Sequence, residues 1–93
     1  MGLFDQVSED IKKAMLAKDK VALEALRGVK KEFLEAKTAK GSDGNFSDEQ
    51  AVKILQKMVK QRKDSADIFK QQNRPELAEG ELAEIAVIEK YLP

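Results

Sequence analysis

The sequence predicts an all-α protein, a small bundle of four amphipathic helices arranged as two helical hairpins. Three observations carry that expectation. Alanine, leucine, lysine and glutamate dominate, and the only prolines are Pro75 and Pro93, so most of the chain favours helix. No stretch shows the alternation of apolar and polar residues that a half-buried strand requires. Apolar residues recur instead at helical spacing in four stretches, separated by residues with turn chemistry.

The first helix is expected over Leu3–Ala17, with Phe4, Val7, Ile11, Ala14 and Met15 along one stripe. Asp19 follows as an N-cap, since its carboxylate can accept an amide hydrogen from the next first turn. So short a join folds helices one and two back on each other. Helix two is expected to reach about Lys40, with Ala22, Leu26, Val29, Phe33 and Ala36 inward and Gly28 on the opposite side. "GSDGN" then breaks the pattern. Ser47 and Gln50 form a capping-box signature, with Asp48 and Glu49 suited to the positive end of the helix dipole. Helix three is expected over Asp48–Gln72, with Val52, Leu55, Met58, Val59, Ala66 and Phe69 on one side. Asn73 or Arg74 caps helix four, Pro75 fits its first turn, and Leu77, Ile85, Ile88 and Leu92 point inward.

Composition narrows function by exclusion. Ninety-three residues suit one small domain. There is no cysteine and no histidine, which removes disulfides, thiolate metal sites, and the commonest general base. Basic and acidic residues balance at 17 each, so net charge directs the chain toward neither nucleic acid nor an anionic membrane. No apolar run approaches the ~20 residues that span a bilayer. The polar face of helix one mixes Asp5, Glu9 and Asp10 with Lys12 and Lys13, which favours core packing over a membrane surface. The chain is read as a soluble, bacterial, cytoplasmic protein with no cofactor and no metal. Its serines lack a histidine base, and "GSDG" lacks the strand and the Lys-Ser/Thr of a phosphate loop.

Two charged features remain. A helical wheel places Arg62 in the middle of the apolar face of helix three, and Glu81 and Glu84 among the apolar positions of helix four. An isolated buried charge is costly. With the hairpin turning near Gln72 and Asn73, Arg62 comes level with Glu84, and Glu81 lies about one turn nearer the bend. Arg62 is therefore expected to bridge Glu84, Glu81 or both as a structural ion pair, and breaking it would cost roughly 3–5 kcal/mol if it is well buried. The second feature is a basic stripe, Lys53, Lys57 and Lys60, on the outer face of helix three, with Lys30 and Arg74 as additions. It would track phosphates in a salt-dependent way. The alternative is that the glutamates of helix four simply balance it. No aromatic residues interleave with these lysines to stack bases.

Three segments, "IKKAMLAKDKVALEALRGVKKEFLEAK", "VKQRKDSADIF" and "RPELAEGELAEIAVIEKYLP", together resemble the YqeY family of GatB/YqeY-like proteins over essentially the whole chain. Arg27, Lys30, Arg62, Ser65, Arg74, Glu81, Glu84, Tyr91, Leu92 and Pro93 match the family's characteristic positions. The resemblance implies an N-terminal helical domain. The family's small tail-like domain, similar to the tail of GatB in the tRNA-dependent amidotransferase, would follow Pro93 and is expected to be absent. By resemblance, the chain is linked to amidation of misacylated tRNA with glutamine as nitrogen donor. Its partner would be tRNA or an amidotransferase-like protein, with no membrane and no small-molecule cofactor. The competing implications are a glutamine-dependent carbon–nitrogen ligase in its own right and a protein–protein scaffold with no RNA role.

Overall fold

A computed structural model describes residues 2–39 and 46–93. They form four helices, α1 (Leu3–Ala17), α2 (Lys20–Lys37), α3 (Asp48–Gln71) and α4 (Pro75–Glu89). No strand occurs among the described residues. Helix α4 packs against both α3 and α2, and α1 lies chiefly along α2. The result is the bundle of two hairpins.

Local chemistry sets most boundaries. Lys18 takes the left-handed conformation (φ 57°) and its N–H reaches back to the carbonyls of Ala14 and Met15, which closes α1. Asp19 Oδ1 then accepts the Ala22 N–H at 3.1 Å and opens α2. Ser47 and Gln50 form the full reciprocal box at the start of α3. Helix α2 ends at Lys37 rather than near Lys40, where the Thr38 hydroxyl bonds the Leu34 carbonyl at 2.8 Å. "GSDGN" lies outside the described residues. At the second turn Asn73 adopts φ 59°. Arg74 is the N-cap of α4 without a side-chain capping bond.

The core is built from Val7, Leu26, Val29, Phe33, Leu55, Met58, Ile85 and Ile88, all buried. Phe4, Phe33 and Phe46 cluster at one end, with Phe33 and Phe46 centroids 5.0 Å apart, and the Lys37 ammonium lies 5.1 Å from the Phe4 ring centre. No polar or charged side chain is fully buried among the described residues.

Two inward expectations and one outward expectation fail, each for a reason of position. Met15 is exposed because it sits in the last turn of α1. Leu77 is exposed because it sits in the first turn of α4, at the tip of the α3–α4 hairpin. Near that tip Ala66 and Ala78 are buried but stand outside the main core cluster. Gly28 does not lie on the outer side of α2. It faces Met58 and Arg62 on α3.

Candidate functional site

Arg62 projects from α3 toward α4, and its Nε donates to Glu84 Oε1 at 3.2 Å. Its Nη1 donates to the Met58 carbonyl one turn back at 3.4 Å. Both members of the pair are mostly but not wholly buried, with side chains 20% and 23% exposed. The antiparallel hairpin explains the meeting, since residues equidistant from the turn at Gln72 and Asn73 come level. Glu81, half-buried one turn nearer the bend, makes no ion pair with Arg62. The contact uses one edge of the guanidinium, not the two-point fork.

Lys53, Lys57 and Lys60 are all exposed on α3. A rise of about 1.5 Å per residue puts Lys53 and Lys57 about 6 Å apart along the axis, with Lys60 about 10 Å from Lys53. None of the three pairs with a carboxylate among the described residues, so the glutamates of α4 do not neutralise them by direct contact. The other two basic candidates are not gathered onto the stripe. Lys30 is half-buried on α2, beside Arg27 and Lys31 around the exposed Leu34. Arg74 is exposed at the hairpin turn, beyond the end of α3. No aromatic ring among the described residues faces the lysines. Phe4, Phe33 and Phe46 cluster in the core, Phe69 is half-buried, and Tyr91 is tied to α1.

Two junctions escape a reading of the sequence. The Tyr91 hydroxyl donates to Asp10 Oδ2 in a short bond across 81 residues of sequence, and Gln6 Nε2 donates to the other Asp10 oxygen at 3.0 Å. Burial pushes the Tyr91 phenol well above its ordinary range, and the Asp10 carboxylate pushes it further. The second junction joins the starts of two helices. Asp48, in the first turn of α3, accepts the Leu3 N–H of α1 at 3.0 Å, so one carboxylate serves two helix N-termini. A Cβ on Gly2 would stand 3.2 Å from that oxygen, tighter than most real contacts. Neither partner has a local signature, since each lies far away in sequence.

Among the described residues, no cluster of three or more acidic, histidine or cysteine side chains is placed to hold a metal ion. No described helix is long and apolar enough to cross a membrane.

The sequence matches the family model of Yqey-like proteins over residues 4–93. It is 38% identical over 90 residues to a Clavispora lusitaniae protein named "Altered inheritance of mitochondria protein 41, mitochondrial", covering 97% of this chain and 51% of that one. The proteins of the same name in Lachancea thermotolerans and Meyerozyma guilliermondii are 37% and 39% identical, covering 92% of this chain in each case and 46% and 44% of theirs. The chain thus spans about half the length of the curated relatives it matches. These relatives are fungal and carry mitochondrial names, which overturns the expectation of a bacterial, cytoplasmic protein. The cytoplasmic part of that expectation rested on missing cysteines and missing apolar spans, and both features suit the interior of an organelle equally well. Motif resemblance, helical architecture and family match agree over nearly every residue, and the chain belongs to the YqeY-like protein family.

Proposed function

We propose that this domain is a non-catalytic binding module that engages tRNA in the service of tRNA-dependent amidotransfer, working in mitochondria as the names of its relatives suggest. The observation that carries the reading is the row of three exposed lysines, Lys53, Lys57 and Lys60, on one face of α3 with no described carboxylate paired to them. Cations repeated along one face of a helix can follow a phosphate backbone, and the absence of aromatic rings among them favours contacts independent of base sequence. The link to amidotransfer comes from the family resemblance. A non-catalytic role is supported by a sequence with neither cysteine nor histidine, which leaves glutamine hydrolysis without the usual nucleophile–base pair.

The test is tRNA binding by fluorescence anisotropy across a salt series. Three phosphate contacts give a log–log slope of about −2 to −2.7, so raising salt fourfold should weaken binding about 20- to 40-fold. Charge reversal of all three lysines should abolish binding while the helical circular dichroism and melting behaviour stay unchanged. Unaltered affinity in the triple variant would remove the stripe from the reading. Binding of an amidotransferase-like protein in the absence of any tRNA affinity would replace it with a protein-docking role.

A further inference from the structure

The Arg62 guanidinium is held on two sides and open on the third. Nε is taken by Glu84 and Nη1 by the Met58 carbonyl, whereas Nη2 has no partner among the described residues. No side-chain nitrogen or oxygen is both buried and unpaired among those residues, so Nη2 keeps contact with solvent. It does so in a groove of about 240 Å³ between α2 and α3, lined by Gly28, Lys31, Glu32, Met58, Gln61 and Arg62.

Gly28 gives this groove its depth. A Cβ there would stand 3.6 Å from Arg62 Nη2 and 3.8 Å from the Met58 methyl, which is ordinary contact. Packing therefore does not demand glycine, and a glycine inside a helix costs stability. What the missing side chain provides is an open approach along the α2 backbone to Nη2. Lys31, exposed on α2, supplies a second cation from the opposite wall, and the exposed Gln61 adds an amide donor.

We infer that the α2–α3 groove is a phosphate-binding site, in which Arg62 Nη2 and the Lys31 ammonium take one phosphate group between them. Glu84 acts as a positioning residue, since its bond to Nε turns the remaining N–H edge of the guanidinium toward the groove. An arginine already fixed in this way loses little freedom when it binds an oxyanion. The Glu32 carboxylate lines the same groove and opposes an anion, which keeps affinity modest. The ligand is a phosphate mono- or diester, supplied either by an RNA backbone or by a free phosphate compound. Only the first source rests on the tRNA reading above.

The experiment is a titration of the 15N-labelled protein with inorganic phosphate, against chloride at matched ionic strength. The signals followed are the Gly28 and Lys31 amides and the Arg62 Nε–H. Saturable shifts are expected at all three. Lys31→Glu, at an exposed position that folding tolerates, should weaken the response at least about tenfold. Arg62→Lys, which keeps a cation for Glu84 but lacks the Nη2 edge, should do the same, whereas Glu32→Gln should strengthen it. Absence of saturable shifts at Gly28 and Arg62, an unchanged response in Lys31→Glu, or weaker binding in Glu32→Gln would each overturn the assignment. A second arm adds tRNA. Shifts at Gly28 that phosphate competes away assign the groove to RNA. Phosphate binding with Gly28 unmoved by tRNA assigns it to a free phosphate compound, whether or not the lysine stripe binds RNA.

Discussion

Replacing Arg62 with alanine removes the one ion pair between α3 and α4 among the described residues, and the structure bounds the cost. Exposed pairs contribute about 0.2–1 kcal/mol, whereas removing one partner of a fully buried pair costs about 3–5 kcal/mol. With side chains 20% and 23% exposed, the pair lies between these limits, and Glu84, left alone, regains partial hydration. The contact is a single charge-assisted hydrogen bond at 3.2 Å rather than a two-point fork, which corresponds to about 1.5–3 kcal/mol. Arg62→Ala should therefore cost about 2–3 kcal/mol, short of the 3–5 kcal/mol expected for deep burial. On a domain of this size that corresponds to a fall in Tm of roughly 10–20 °C. Urea unfolding of the wild type, Arg62→Ala, Glu84→Ala and the double variant gives the coupling directly, and about 1–2 kcal/mol is expected. A coupling below about 0.5 kcal/mol would show that the pair behaves as an ordinary surface contact, and the register argument would fail with it.

Gly28→Ala should stabilise the fold by about 0.5–1 kcal/mol, because the added methyl meets only ordinary contacts and α2 gains helix propensity; loss of stability in thermal melts would show that Gly28 is needed for packing. Ser47→Ala should cost about 1 kcal/mol through loss of the capping box at α3, measurable by urea unfolding. Tyr91→Phe should cost about 0.5–1.5 kcal/mol through loss of the bond to Asp10. Because folding raises the Tyr91 phenol, the stability it contributes is complete below its unfolded value of about 10 and is lost as pH rises above it toward the folded value. The wild type should thus lose stability on the alkaline side more steeply than Tyr91→Phe, and parallel profiles would refute the assignment. Incubated with glutamine, ATP and glutamyl-tRNA, the domain alone should release no ammonia and form no amidated product above a protein-free control.

The parts of this molecule that are legible in the sequence are those whose causes are local or fixed by one turn. Asp19 and the Ser47–Gln50 box announce helix starts because a cap and its amide lie three residues apart. Arg62 and Glu84 come within reach because a tight hairpin makes every level on α3 correspond to a level on α4. Once the join is long, or the partner comes from another hairpin, that correspondence vanishes. Asp48 capping α1 and Tyr91 bonding Asp10 span 45 and 81 residues, and Gly28 falls on the wrong side because a wheel drawn for one helix does not contain its neighbours. Met15 and Leu77 fail for a related reason, since a wheel has no ends and a helix does.

The same limitation makes strut and binding group look like rival roles for Arg62. A wheel assigns a residue one direction, and on that description the two roles exclude each other. A guanidinium carries five N–H donors on three nitrogen atoms, and in this bundle the nitrogens serve different neighbours. Nε serves α4, Nη1 its own helix, and Nη2 the groove beside Gly28. The bond that fixes the register of the hairpin is also the bond that fixes the orientation of the open edge. Rigidity and recognition therefore compete at this residue only if the pair with Glu84 has to break for a ligand to enter, and nothing in the geometry requires it to break.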